Sequence, residues 1–312
     1  MGKHRKFWLV GIAVIIVALT FIIYYNYNIQ QKMPRLILPP TTIDVDTKKG
    51  DTIYPSKLGG DEWFMDPVNL DKDKRFDPNA ELTKNSDGSW SIDSNGQTRL
   101  RVWTRDSDNF RQQDEMNTYN HNIIKTRGYW YKPSDWKNVE MTGYFKLNEY
   151  VNDEYSMFSR SIWHNRNQSG CGGSDYKLQL NFDGTISSEK EEWHVYYTDQ
   201  PEKWSLESGY RDIQVGNLTN KWVGLKIIVY NIVENAMKYP KMEMWIDQTN
   251  NNTWKKVYEY IDTGGWGSTM GRCGGASDEL ITWGSPVATF RWDKTDNVDF
   301  RNLSIREIEP PT

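Results

Sequence analysis

The chain has 312 residues, with 38 Lys and Arg against 42 Asp and Glu, and a formal net charge of −4. This near balance excludes the basic surface of a nucleic-acid-binding protein and an acidic interaction tail, so no nucleic-acid partner is expected. The 15 Trp and 18 Tyr combine apolar rings with polar tips, which suits strands and binding surfaces. A chain of this length can place most of its residues in one large all-β domain.

The N-terminus predicts a membrane anchor. A basic tail, residues 1–6, precedes an uncharged apolar run at residues 7–25. A helix of that length, rising ~1.5 Å per residue, spans the ~30 Å hydrocarbon core of a lipid bilayer. Basic residues on the first flank place the N-terminus in the cytoplasm and the C-terminal domain outside the cell. A cleaved signal peptide is the alternative, but it would have a shorter apolar run and a small-residue cleavage site.

The segments around the predicted domain lack a sustained hydrophobic period. Residues 26–60 are polar, contain four prolines and predict an extracytoplasmic stalk. Residues 61–78 predict an irregular segment that wraps a domain extending over 61–308. Residues 309–312 form a short C-terminal tail.

Strand patterns separated by turns fill the rest of the chain. Alternating residues at 139–147 predict a half-buried strand. We expect two hairpins, 89–93 with 98–104 and 241–247 with 254–260, and an insertion at 231–240 after a strand at 222–230. Strands at 287–293 and 298–308 close the chain. Many strands without a long amphipathic helix predict an all-β fold, a two-sheet antiparallel sandwich after the N-terminal transmembrane helix.

The stretch 156–198 is the most informative for function. At 176–182 a period of two places Tyr, Leu and Phe side chains on one face and Lys177, Gln179 and Asn181 on the other. This pattern predicts a strand with one core face and one wet face. Two of the four histidines lie in this stretch, each next to a tryptophan. Such a polar and aromatic sheet face is typical of a sugar-binding groove.

Four segments carry a resemblance to a known fold: 136–145, 172–178, 242–247 and 298–304. They resemble the concanavalin A-like lectin and glucanase jelly-roll superfamily, including its polysaccharide lyase-like branch, over roughly 61–308. The resemblance implies a jelly roll that binds polysaccharide or a cell-surface glycan on its concave sheet. The glucanase pattern Glu-X-Asp-X-X-Glu is not reproduced by the nearest candidates, Glu243 to Asp247 and Glu189 to Glu192, which disfavours a glycoside hydrolase.

A lyase needs a cation or amide for the uronate carboxylate, a base, and a proton donor for the leaving oxygen. The sequence supplies His194, Tyr196 and His164 as candidate catalytic residues. The candidate substrate-binding residues are Arg101, Arg160, Gln179, Trp163 and Trp193. The lyase motifs Arg-X-Glu-X-Arg and Gln-Ile-His are missing. Three hypotheses therefore stay open: a lyase, a non-catalytic lectin-like module, and a structural cell-envelope protein.

Cys171 and Cys273 both lie in Cys-Gly-Gly sequences. Outside the cytoplasm, an even pair of cysteines is most simply one disulfide, which could stabilise the fold by up to ~4–5 kcal/mol. Asn-X-Ser/Thr sequons at Asn167, Asn217, Asn251 and Asn302 are compatible with glycosylation.

No cofactor and no catalytic metal are expected from the residue pattern. An Asp-rich turn at 293–299 is compatible with structural Ca²⁺, but turns of this kind are at least as common without a metal.

Overall fold

The structure is a computed structural model of the chain. It describes residues 37–38, 47–93, 96–106, 121–149, 151, 153–161, 174–191, 205–207, 210–213, 215–264, 280–293 and 297–311. By its contacts the chain divides into residues 1–37 and 38–312. The account below concerns the second unit.

The described elements are almost all strands. In chain order they are β1 (Ile37–Leu38), β2 (Thr47–Lys49), β3 (Glu62–Phe64), β4 (Phe76–Pro78), β5 (Leu82–Lys84), β6 (Trp90–Asp93), β7 (Thr98–Trp103), β8 (Val139–Leu147), β9 (Glu154–Ser161), β10 (Asp175–Asn181), β11 (Thr185–Glu191), β12 (Ser205–Glu207), β13 (Tyr210–Asp212), β14 (Trp222–Glu234), β15 (Met237–Asp247), β16 (Thr253–Ile261), β17 (Val287–Trp292) and β18 (Asn297–Glu307). A 3₁₀-helix at Leu70–Lys72 and the helix α1 (His121–Arg127) complete the described elements.

The strands form two antiparallel sheets. The first sheet follows the order β13-β11-β10-β9-β17-β7-β4, with β12 also paired to β11. The second follows the order β2-β16-β15-β14-β8-β18-β6-β5, with β3 also paired to β18. Three-residue strands end the second sheet on both sides, at β2 and β5, and the first sheet at β4. The expected all-β, two-sheet antiparallel architecture is confirmed.

Alternating apolar side chains of both sheets meet in one core, as the period of two dictates. Phe145 of the second sheet stacks on Tyr155 of the first at a ring separation of 4.7 Å. Trp292 of the first sheet lies between Phe145 and Phe300, at 6.1 and 6.0 Å. These aromatic contacts across the interface hold the two sheets face to face.

Several sequence predictions agree with the strands. β8 covers the predicted 139–147. β15 and β16 form the predicted hairpin, and Asn250 and Asn252 in its turn have positive φ angles of 54° and 65°.

The predicted insertion at 231–240 was wrong, because β14 and β15 continue through it as a long hairpin. Asn235 and Ala236 close that hairpin with φ angles of 50° and 64°. Two successive positive φ angles are the geometry of the tight turn that matches strand twist.

The predicted hairpin of 89–93 with 98–104 was also wrong. β6 pairs with β18 in the second sheet, whereas β7 pairs with β17 in the first. The chain therefore crosses between the sheets after Asp93. Both segments alternate as the two strands of a hairpin do. The sequence pattern does not show that β6 and β7 pair with different strands in different sheets.

The end of the predicted stalk lies on the domain. β2 pairs with β16, and Ser56 forms a β-bridge with Ile308. The Ile53 side chain packs in a small cluster on the outer face of the second sheet with Tyr230 and Trp245. Residues 47–57 thus form a strap across that face.

In the described ranges, no helix has the length and apolar character needed to cross a membrane. The predicted anchor, residues 7–25, lies outside the described residues.

Candidate functional site

The face of the first sheet that points away from the second sheet carries the polar side chains of the central strands. In β10, Tyr176, Leu178 and Leu180 enter the core, so the intervening Lys177 and Gln179 point outward. The alternation predicted from the sequence is confirmed here. We call this surface the outer face of the first sheet.

Strand register arranges these outward side chains in two rows that run across the sheet. The first row is Glu189, Lys177, Phe158, Thr289, Arg101 and Asp77. The second row is Ser187, Gln179, Ser156, Arg291 and Arg99. With strands about 4.8 Å apart, the six residues of the first row span about 24 Å. The rows bring Arg101 and Gln179 onto one face, in different rows and three strand spacings apart across the sheet.

The centre of this face is not the wet surface that the sequence predicts. Lys177 is only 6% exposed and Gln179 only 4%. Burial is tolerated because each polar group has a partner. Lys177 Nζ lies 3.2 Å from Glu154 Oε1 and 3.1 Å from Glu189 Oε2. Ser187 Oγ donates to Gln179 Oε1 at 2.8 Å.

The Glu154 carboxylate connects the rows. Its Oε1 accepts from Gln179 Nε2 and Ser156 Oγ, each at 3.1 Å, as well as from Lys177. Three donors on one oxygen fix the carboxylate and the side chains that surround it. The arrangement is rigid and preorganised rather than a set of independent surface groups.

Burial and neighbouring charges shift the pKa values of Glu154, Asp153 and Lys177. Burial alone would raise the pKa of Glu154, but the hydrogen bond with Asp153 and the Lys177 ammonium outweigh it and lower the pKa to about 2. Burial raises the pKa of Asp153 to about 8, and its hydrogen bond with Glu154 and that residue's charge add to the shift. Burial opposes the charge of Lys177, but Glu189 and Glu154 outweigh it and raise its pKa.

Three half-buried arginines lie beside this network. Arg291 and Arg99 are directly opposite each other in register, and Arg101 follows two residues along β7. Arg291 pairs with Asp293, which also accepts from Gln97 Nε2 at 3.1 Å. Burial opposes the charge of Asp293, but Arg291 outweighs it and lowers the pKa. The result is a cationic strip on β7 and β17 next to the amide and carboxylate groups of β9 and β10.

Arg160 does not join this face. It is 1% exposed, has a positive φ of 56°, and donates to the carbonyl oxygens of Lys137 and Ile281. Its guanidinium lies 6.0 Å from the ring of Tyr176, a residue of the core. Burial lowers the Arg160 pKa to about 10. The sequence prediction assumed that side chains alternate regularly along β9. The register of β9 with β17 is irregular near Ser161, and Arg160 does not follow that alternation.

The remaining predicted site residues lie outside the described residues. They are Trp163, His164, Trp193, His194 and Tyr196, together with the two cysteines, Cys171 and Cys273.

Sequence reasoning missed most of the network. Glu154, Ser156, Phe158 and Arg291 were not proposed as site residues. The signal was present in β17, where Thr289 and Arg291 alternate with core residues. Placing them beside Gln179 required knowing that β17 pairs with β9.

Two of the acidic residues considered for hydrolysis or for Ca²⁺ have partners on the second sheet. Glu243 is fully buried on the second sheet and accepts from Tyr54, Tyr230 and Trp245. Asp299 pairs with Lys146 at 2.6 Å. Within the described ranges, no group of three or more His, Cys, Asp or Glu side chains could hold a metal ion.

Comparisons with known proteins show similarity in structure but none in sequence family. No family model matches the sequence, and no curated protein matches it. The chain is similar to the carbohydrate-binding module CBM66 from Bacillus subtilis, with a TM-score of 0.38 and 9% identity over 76% of this chain and 98% of that one. It is also similar to a protein of unknown function with a galectin-like fold from Bacillus subtilis, with a TM-score of 0.38 and 9% identity over 85% of this chain and 100% of that one. For sheep galectin-11 in complex with glycerol, the TM-score is 0.28 and the identity 11%, over 52% of this chain and 89% of that one. Similarity at these scores and identities assigns neither a family nor a function to this chain.

Proposed function

We propose that the domain binds an acidic polysaccharide or cell-surface glycan on the outer face of the first sheet, as a lectin-like module. The observation that carries the proposal is the strip of three half-buried arginines, Arg99, Arg101 and Arg291, which lies beside the buried network of Glu154. Guanidinium groups bind carboxylates well, often through two parallel hydrogen bonds. The jelly-roll resemblance found in the sequence agrees with this proposal.

Because the three arginines are half-buried, their hydrogen bonds with glycan carboxylates would be strong enough to change the affinity measurably. A hydrogen bond to a charged group contributes about 1.5–3 kcal/mol, which corresponds to about 10–100-fold in Kd. Because Asp77 and Asp293 partly balance the three arginines, we expect affinity to depend on the placement of the carboxylates in the glycan as well as on its charge density.

The test is titration of the purified chain with polyuronates and with uncharged polysaccharides. We expect binding to the acidic glycans, and Arg101→Ala or Arg99→Ala should weaken it by about 10-fold or more. Arg127→Ala is the matched control, since Arg127 is exposed on α1. Equal affinity of both arginine variants and wild type would contradict the proposal. If no glycan binds, a structural envelope role gains support.

A polysaccharide lyase is the second candidate, and the strand order of the first sheet favours it. Tyr176 of β10 pairs with Ser159 of β9 on one side and Lys190 of β11 on the other. β9 and β11 therefore run toward the same end of the sheet. In the sequence, His164 follows β9 and His194 follows β11, each by three residues. The segments that contain His164 and His194 therefore both begin at that end of the sheet, and the arginine strip on its outer face would neutralise a uronate.

Lyase activity is tested by the ultraviolet absorbance of unsaturated uronide ends. We expect His194→Ala to abolish product release and leave binding nearly unchanged, because proton transfer contributes in the transition state. Binding without product from a broad panel of polyuronates would exclude the lyase and leave the lectin-like function.

We also propose that residues 7–25 anchor the chain in the membrane with the domain outside the cell. The support is the apolar run and its basic flank, residues 1–6. Protease added to intact cells should remove the domain and leave a short protected fragment. Full protection of the domain would contradict this orientation.

A further inference from the structure

The opposite side of the sandwich has a pocket that the function proposed above does not use. It lies on the outer face of the second sheet and has a volume of about 620 Å³. The strap, strands β3, β8 and β18, and the turn between β15 and β16 all contribute to its wall. A volume of this size is within the range of small-ligand sites.

The aromatic side of the pocket is held in place by close packing. Tyr144 and Trp254 line it and contact each other edge to face at 5.6 Å. Gly224 allows this arrangement, because a Cβ there would lie 2.7 Å from the Trp254 ring. The Tyr144 hydroxyl donates to Asp247 at 2.9 Å, which fixes its ring. This part of the pocket needs little reorganisation to accept a ligand.

The polar wall is equally fixed. Arg301 stacks on Trp222 at 4.2 Å and donates to Asn250 Oδ1 at 2.8 Å. The Asp51 carboxylate accepts from the Asn252 side chain. One guanidinium and one carboxylate therefore line the pocket together with the amides of the turn.

The charge of the pocket is close to balanced. Arg306 also lines it, but its guanidinium pairs with Glu140 at 2.9 Å and donates to Ser56 and to the Tyr54 carbonyl. Among the described residues of the wall, only Arg301 and Asp51 remain as charged groups, and they have opposite signs. An uncharged ligand with both hydroxyl donors and acceptors fits this balance better than an anion.

Phe64 gives the pocket an open apolar platform. Its side chain is 59% exposed, and it is the only aromatic among the large exposed hydrophobic residues of the described ranges. Phe64 lines the pocket next to Met65. An exposed aromatic at the edge of a polar concavity is suited to stacking against the apolar face of a ring.

We propose that this pocket is a second binding site, which takes a neutral sugar residue of a glycan. Phe64 stacks on the C–H face of the sugar, while Asp51, Arg301 and the Asn250 amide bind neighbouring hydroxyls. The site is independent of the arginine strip, because it lies on the other sheet. With a glycan bound on each face, a single domain cross-links two glycan chains. Binding through both sites also raises the avidity without any new contact within either site.

The test is ligand-observed NMR on the full chain with methyl glycosides of glucose, galactose, mannose and N-acetylglucosamine. We expect at least one glycoside to bind, and Phe64→Ala to weaken it about 10-fold. Asn250→Gly should weaken it as well, and glycine tolerates the positive φ of that position. Val233→Ala, at another exposed apolar residue, is the matched control.

Two outcomes overturn the proposal. The first is that no glycoside binds, or that binding is unchanged in both pocket variants. The second is that Arg99→Ala or Arg101→Ala abolishes glycoside binding, which would place the sugar on the first sheet. Conversely, loss of polyuronate binding in the arginine variants with glycoside binding intact separates the two sites and supports the pocket.

Discussion

Replacing Lys177 with Met tests whether the buried network of the first sheet stabilises the domain. The change keeps the side-chain length and removes the cation between Glu154 and Glu189, which lie 3.2 and 3.1 Å from Nζ. Removing one partner of a buried ion pair costs about 3–5 kcal/mol. Because Gln179 and Ser156 still donate to Glu154, we expect the lower end, about 3 kcal/mol at neutral pH.

The loss of stability in Lys177→Met should depend on pH. Without the cation, the pKa of each mostly buried carboxylate rises in the folded state, so lowering the pH protonates them and restores stability. The measurement is urea unfolding at pH 7.5 and pH 5. The urea midpoint should fall by about 1 M at pH 7.5 and by less at pH 5.

Lys255→Met is the control, because Lys255 is exposed on β16 and should change stability by less than about 0.5 kcal/mol. A loss below about 1 kcal/mol for Lys177→Met, or an equal loss at both pH values, would refute this account of the network.

Three further predictions concern other parts of the chain. Burial raises the pKa of Asp153 to about 8, so wild-type stability should decline as the pH rises from about 4 to 8. Asp153→Asn should make this decline in melting temperature smaller, with a remainder from Asp135, whose pKa burial raises to about 6, and an unaltered profile would contradict the assignment. Gly224→Ala should destabilise the domain by about 1–3 kcal/mol in urea, because the added Cβ would lie 2.7 Å from Trp254, and wild-type stability would disprove the close approach. Mass analysis of unreduced peptides should show Cys171 linked to Cys273, whereas free thiols at both positions would exclude the disulfide.

Local patterns in the sequence predicted strands well, because the period of two depends only on neighbouring residues. The segment 176–182 shows this: its Tyr, Leu and Phe side chains enter the core as expected, and Lys177 and Gln179 point the other way. The hairpin of β15 with β16 was predicted in the same way, and Asn250 and Asn252 in its turn adopt the positive φ angles that Asn tolerates.

Features that depend on distant pairing were not predictable from one sequence. The position of β6 in the second sheet could not be predicted, because its partner strand β18 lies more than 200 residues further along the chain. The outward side of β10 was expected to be wet, but Glu154 and Glu189 from two other strands bury its lysine. The pocket near Phe64 likewise combines segments from both ends of the domain.

The short outer strands have a consequence for the behaviour of the protein at high local density. Strand edges with free amide and carbonyl groups recruit strands from neighbouring molecules, and long flat edges are the most hazardous. Here β2, β4 and β5 offer three residues each, and β14 and β15 lie inside the second sheet where they pair with β8 and β16. Copies crowded on one surface would therefore present little template for intermolecular strand addition at these three edges.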